Sequence, residues 1–463
     1  LLSSNLSSSN SSINFTVDEA VTVAQAEGLL DHTDTSSAAI QFSAGITDSL
    51  SAYAGLGGTT TKLNSIVAED VDLVATVSGT LGSSADDITK LNALASKFDE
   101  SGLSAKIVAT ISATKDKLYS SSSSSALLST STNDAINITV TDAISPTEWA
   151  AIKAKTGADS TTVTASGGFS STLDDFATTG GTTTNWDNAV AANAAKAVTV
   201  TDTKLTTANH ITALNHLLGD TDHTGAGSTV TATVEAALAT INPGSLNAAA
   251  TDLITVTVTD ALTNANIANL NTLKGKTASK VTVNSIEATA AQLATLDTGK
   301  TDSVTMTASG SSSVTEAIAL VEHTDALSKI TIAGISDGQN NVSGAGIANS
   351  ATGLATLKTL VGTSEKDTAI DSLYGRVSGT VTINDGALTV DNALSIATFT
   401  VGSSNSSISY TISDSAGHAS GSGGDIGVAT TKAAPNDSQV DVAIDKATSV
   451  TATGTLTIAQ AVE

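Results

Sequence analysis

Apolar residues alternate with threonine in short runs along this chain, and each run leads into apolar residues three or four apart. The clearest runs are Ile138-Thr-Val-Thr-Asp142, Val198-Thr-Val-Thr-Asp202 and Val256-Thr-Val-Thr-Asp260. Period two indicates a strand with one buried face, and a spacing of three or four indicates one face of a helix. Helical faces follow as Ile211, Leu214, Leu217 and Leu218, then Ile267, Leu270 and Leu273, then Ala290, Leu293 and Leu296. Weaker strand phrases begin at Thr162, Val230, Val281, Val304, Ile330 and Val381. From Val256 the starts advance by 25, 23 and 26 residues, and the next gap, 51 residues to Val381, equals two such steps. The unit is therefore about 25 residues. The spacings of 60 and 58 residues between Asp142, Asp202 and Asp260 are each two enlarged units. The Asp or Thr that ends a strand phrase is expected to cap the helix after it.

The N-terminal part has the same grammar in looser form. Phe15–Val17, Ile40–Phe42, Val74–Val77 and Ile107–Ile111 read as strands, with a helical face at Ile88, Leu91, Leu94 and Phe98. Ser120–Ser125 reads as a surface loop and a joint between blocks. From Val381 strand-like phrases crowd together: Leu388–Val390, Ala397–Val401, Ile408–Ile412, Val440–Ile444 and Val450–Ala452. The expected organisation is a looser repeat block over 1–119, a Ser-rich loop over 120–130, regular repeats over 131–380 and a mostly β segment over 381–463. The phrase Ala20-Val-Thr-Val-Ala-Gln-Ala26 returns as Thr455-Leu-Thr-Ile-Ala-Gln-Ala461, which reads as the opening of another repeat.

A strand–turn–helix unit of this size cannot bury its own apolar face, but stacked copies can cover one another. The expected fold class is thus an α/β repeat solenoid, with stacked coils of about 25 residues sharing a parallel sheet. Some 15 coils at roughly 4.8 Å per strand would make a rod of about 70 Å.

Composition narrows the function. The 463 residues carry 20 Lys and Arg against 45 Asp and Glu, a net charge of −25, so phosphate is repelled and no nucleic-acid partner is expected. With no Cys, disulfides and thiolate metal sites are excluded. No apolar run reaches membrane-spanning length. Aromatic residues are 3% of the chain and Arg376 is its one arginine, which argues against the groove of a polysaccharide-cleaving enzyme. No Gly-x-Ser-x-Gly elbow stands between a strand and a helix, and the glycines at 421–424 are not followed by a phosphate-binding lysine, so no enzyme activity is expected.

Several side chains are candidates for chemistry. Asp142, Asp202 and Asp260 could line up as a carboxylate ladder bridged by calcium, although helix capping is the simpler reading. The phrases around His32, His223 and His323 each place imidazole beside a carboxylate. They stand far apart in a linear array, so a polar turn is the simpler reading there too. Trp149, three residues before Ile152, reads as core, and Trp186 in its polar stretch reads equally as core or as an exposed contact. Asn5, Asn10, Asn14, Asn137, Asn341, Asn405 and Asn436 open Asn-x-Ser/Thr triplets, which permit glycosylation without showing it.

The Val-Thr-Val-Thr-Asp-Ala…Leu-x-x-Leu pattern, clearest over Val256–Leu273 and Val281–Leu296, resembles the repeats of large secreted bacterial cell-surface proteins of the S-layer-like, adhesin or filament type. That resemblance implies an extracellular structural protein at the cell surface. It would self-assemble into a layer or filament, with copies of itself and cell-surface polysaccharide as partners. The other implied role is the monomeric stalk of a secreted adhesin. Many such proteins bind calcium through glycine-rich nonapeptides, and Gly421-Ser-Gly-Gly-Asp425-Ile-Gly427 is similar to one of them, which adds Asp425 to the candidate calcium ligands.

Overall fold

The structure is a computed structural model and describes residues 14–31, 40–131, 133–157, 162–349, 351–402, 408–415 and 446–453. The chain divides into two compact units, Leu1–Thr203 with Asn209–Ala232, and Lys204–Ala208 with Thr233–Glu463.

In the first unit, strands Phe15–Val17 (β1) and Ile40–Phe42 (β2) flank helix Val23–Leu30 (α1). Strand Ile46–Asp48 (β3) leads to helices Leu50–Tyr53 (α2) and Thr61–Glu69 (α3). Strand Val74–Leu81 (β4) leads to helix Ala85–Phe98 (α4), Lys106–Ala113 (β5) to Lys115–Leu118 (α5), and Ala135–Val140 (β6) to Pro146–Lys153 (α6). Val163–Ala165 (β7) and Phe169–Ser171 (β8) precede helices Leu173–Phe176 (α7) and Thr184–Asn193 (α8). Val198–Val200 (β9) and helix Ala208–Leu218 (α9) follow, and the division between the units falls within strand Val230–Ala236 (β10) and at the first residue of α9.

In the second unit the grammar is leaner. Helix Leu238–Ile241 (α10) precedes strand Leu253–Thr263 (β11) and helix Ile267–Lys274 (α11). Val281–Ala288 (β12) leads to Ala290–Leu293 (α12), and Ser303–Ser312 (β13) to Val314–Ala319 (α13). Ile330–Asp337 (β14) is followed by three helices, Gln339–Val342 (α14), Thr352–Val361 (α15) and Lys366–Tyr374 (α16). Val381–Ile383 (β15) leads to Val390–Leu394 (α17), and strands Thr411–Ser415 (β16) and Ser449–Thr453 (β17) pair in parallel.

Strands β3 to β7 form a five-stranded parallel sheet in chain order, and β8 to β15 an eight-stranded one. Chain order in a parallel sheet means that every connection is a crossover, and the crossovers here carry the helices. In the two larger sheets the inward residues are mostly apolar and buried, as Val256, Val258, Val281, Val283, Val304 and Met306 are, while the threonines between them face outward. The expected adjacency holds in detail. Val256 pairs with Val281, Val283 with Val304, and Met306 with Ile330, so the four phrase starts stand on four neighbouring strands. The helical face Ile88, Leu91, Leu94 and Phe98 lies buried on α4.

Three expectations are corrected. The 51-residue gap before Val381 is one step rather than two, because Ile335 pairs directly with Val381 and the extra length is taken up by α15 and α16. The segment from Val381 is not mostly β over 388–401. Thr389 accepts the Asn392 N–H, which caps α17, so the alternation there is a helix start; between Leu394 and Gly402 only Val401 makes a strand-type pairing, an isolated one. The phrase Val440–Ile444 lies outside the described residues. Finally, the Asp residues that end strand phrases do not cap the helices that follow them, as set out below.

Ser120–Ser125 forms the tip of an antiparallel hairpin, with Tyr119 paired to Ala126 and Ser120 to Ser125. The strands on either side of it, β5 and β6, pair without interruption from Val108–Ala135 to Ala113–Val140. Two sister hairpins occupy the same place after α2 and α7, with Ala54 paired to Thr59 and Ala177 to Thr182. Between β7 and β8, Gly167 is required by close approach. A Cβ there would lie 2.3 Å from the Asp142 carbonyl carbon.

Candidate functional site: the strand-end aspartates

Strand parity decides where the candidate carboxylates go. Alternation puts Ile138, Val140 and Asp142 on the inward face, and it does the same for Val198, Val200 and Asp202, and for Val256, Val258 and Asp260. The next inward position after the two apolar ones is therefore a carboxylate at the rim of the core, although in β11 the strand runs on past Asp260 to a further buried residue, Leu262. This carboxylate meets the first N–H of the helix in the preceding module, a group with no partner inside its own helix. Asp142 Oδ1 accepts from Lys115 N at 2.7 Å, Asp202 Oδ2 from Leu173 N at 2.5 Å, and Asp260 Oδ1 from Leu238 N at 2.9 Å. Four more residues repeat the contact. Asp48 accepts from Val23 N (3.1 Å), Asp337 from Val314 N (3.0 Å), Asp385 from Gln339 N (2.6 Å) and Asp414 from Val390 N (2.9 Å). The carboxylate also sits at the positive end of each helix dipole.

The capping reading thus has the right chemistry and the wrong helix: each of the three predicted aspartates serves the helix of the module before it. Each meets a different helix, so the structure does not bring the three together. Among the described residues, no group of three or more His, Cys, Asp or Glu is arranged to hold a metal ion. Asp425 lies outside the described residues, as does His32.

A second row of polar groups, which sequence reasoning missed, lies in the stretch ahead of the next strand, two of them holding the start of a strand and two, Asp70 and Asn193, the last residue of one. Asp70, Asp134, Asn193 and Asp302 are all buried. Asp70 Oδ2 accepts from Phe42 N (2.8 Å), Asp134 Oδ1 from Ile107 N (2.7 Å), Asn193 Oδ1 from Ala165 N (2.9 Å) and Asp302 Oδ1 from Val281 N (2.8 Å). Each thereby ties the end of a module back to the strand that opened it. The second carboxylate oxygen closes a local turn, to Ser131 N in Asp134 and to Gly299 N in Asp302. Lys274 Nζ adds a charge to Asp302 at 3.0 Å. Burial pushes the Asp134 carboxyl above the usual range, and the Asp99 charge adds to that effect against the hydrogen bonds from Ser131 and Ile107. The sequence signal for Asp134 and Asp302 is a polar residue directly ahead of a strand phrase, in a turn that begins three residues earlier.

The remaining candidates also bind backbone or core. His223 Nε2 lies 2.6 Å from Lys196 O, and His323 Nδ1 lies 3.0 Å from Thr298 O, so each ring ties one turn to an earlier one. Trp149 is buried and donates to Val163 O. Trp186 is core: it is fully buried, edge-on to Phe169, Phe176 and His223, and its Nε1 donates to Asp220 at 2.6 Å. Among the described residues no helix is long and apolar enough to cross a membrane. Comparison of the chain with protein-family models, with curated proteins and with solved structures gives no match in any of the three.

Proposed function

We propose that the modules wind as a repeat solenoid and that the chain is an extracellular structural protein, self-assembling into a cell-surface layer or filament. The observation that carries this reading is the use made of the polar side chains. Aspartates, the two described turn histidines and Trp149 are engaged in tying backbone to backbone, within a module or between neighbours. Ion pairs add to it, since Lys62–Glu27, Lys115–Glu148 and Lys300–Glu322 each join residues about one module apart. A net charge of −25 keeps such an assembly hydrated, with divalent cations, calcium first among them, as screening partners, and neutral cell-surface polysaccharide is the compatible anchor.

The same stitching suits a second reading, the monomeric stalk of a secreted adhesin, because ties between successive modules resist extension along the chain. Electron microscopy of negatively stained protein with and without calcium separates the two. Ordered sheets or fibres are expected for the structural subunit, and isolated rods that remain monomeric in sedimentation would favour the stalk. Compact globular particles in both conditions would remove both readings.

A further inference from the structure

We infer that the strand-end aspartates make helix order in one module conditional on the next module, and in that direction only. Two classes of helix mark the extremes. In α5, α7, α10 and α14, each four residues long, the residue before the helix makes no side-chain cap of its own. Their first N–H groups are held by Asp142, Asp202, Asp260 and Asp385, all from the following module. Helices α4, α6 and α12 instead carry their own capping boxes, Ser84 with Asp87, Ser145 with Glu148 and Thr289 with Gln292. Helices α1, α13 and α17 stand between, with a cap of their own and an aspartate from the following module.

Helix α6 supplies an internal control. It begins with Pro146, which has no N–H to offer. The bridge from Ile144 to Phe169 sets Ser171 of the following strand at the register position where an aspartate would otherwise be needed. Its hydroxyl turns instead to Asp175. All seven strand-end aspartates meet such an N–H, and serine stands in their place where proline removes it. Helices α2 and α12 go without, their register positions being Gly79 and Gly310, so where the aspartate is present its role is that bond. Four-residue helices are far below the length at which a helix holds itself together. Such a helix is complete only once the successor has docked. The successor's strand end takes ladder bonds from its predecessor, as Thr141 N does from Ala113 O, and Lys115 Nζ reaches Glu148 of α6, but no helix start in it takes its first N–H partner from the predecessor. Order should therefore spread from the C-terminal neighbour toward the N-terminal one.

Hydrogen exchange on the full chain tests this. In Asp260→Ala, amides over 238–242 should exchange roughly five-fold faster or more, the size expected for loss of one cap, while those over 267–275 stay unchanged. Thr289→Ala should loosen only its own helix, over 290–294. Asp202→Ala, read at 173–177 against 208–218, gives the same contrast if the first variant does not fold. Equal loosening of both neighbours, loosening confined to the aspartate's own module, or no change at 238–242 would each overturn the inference.

Discussion

Asp302 and Asp260 hold the same kind of group, a backbone N–H, from opposite ends of a strand. Asp302 is fully buried and serves three donors, Val281 N, Gly299 N and Lys274 Nζ. Asp260 is only partly buried and caps Leu238 N. The buried row closes a module on itself, and the row at the strand ends joins it to the one before. Carboxylate chemistry is shared, but desolvation and the number of donors left behind make the first row the costlier to disturb.

That contrast can be broken most severely at Asp302. Asp302→Ala leaves two backbone donors unpaired and a part-buried lysine without its counter-charge, with only Ser279 O still accepting from it, and should lower stability by about 3–5 kcal/mol, against about 1 kcal/mol for Asp260→Ala; denaturant titration of both variants measures the gap. Comparable losses would mean that the two rows are energetically alike.

Asp134 sharpens the comparison within the first row, because Asn193 fills the matching place with a neutral amide. Asp134→Asn should stay within about 1 kcal/mol of the parent at neutral pH. The sign of its pH dependence follows from the raised folded-state value. Protonation is easier in the folded chain, so Asp134 favours stability below the ordinary carboxylate value, and that contribution is lost as pH rises through the raised one. Thermal melts across the acid range should show this slope in the parent and a flatter one in the variant.

The smallest effect is expected at Asp325, in the turn before β14. Burial pushes its carboxyl up, but hydrogen bonds and charge from Lys329 and Lys280 outweigh that and hold it below the usual range. Its contribution is present above the ordinary carboxylate value and lost as pH falls through the lowered one. Lys280→Ala should reduce stability by less than about 1 kcal/mol, because the pair is partly exposed and screened by salt. Melts at low and high salt should converge for the variant and differ slightly for the parent.

Much of this fold is legible in the chain. Alternation at Val256, Val281, Val304 and Ile330 locates neighbouring strands because a parallel sheet in chain order keeps one inward face throughout. Alternation fails at Leu388–Val390, where a threonine between two apolar residues is equally a helix cap. It also fails to show α15 and α16 inside one long crossover, since spacing alone does not tell an enlarged step from two ordinary ones. The site is half legible. Asp142, Asp202 and Asp260 can be read as caps, but their recipients depend on register between strands, which a single module does not display. Asp134 and Asp302 escape notice because their partners lie about one module away.

The three corner hairpins differ in a telling way. Those at Ala54–Thr59 and Ala177–Thr182 turn through two residues, Leu56-Gly57 and Thr179-Gly180, whereas the serine hairpin turns through four, Ser121–Ser124. The longer tip leaves the pairing of β5 with β6 unbroken. Length at this corner is thus decoupled from the rest of the architecture. It is the place where evolution or an engineer could graft a foreign peptide and display it while the scaffold beneath keeps its alignment.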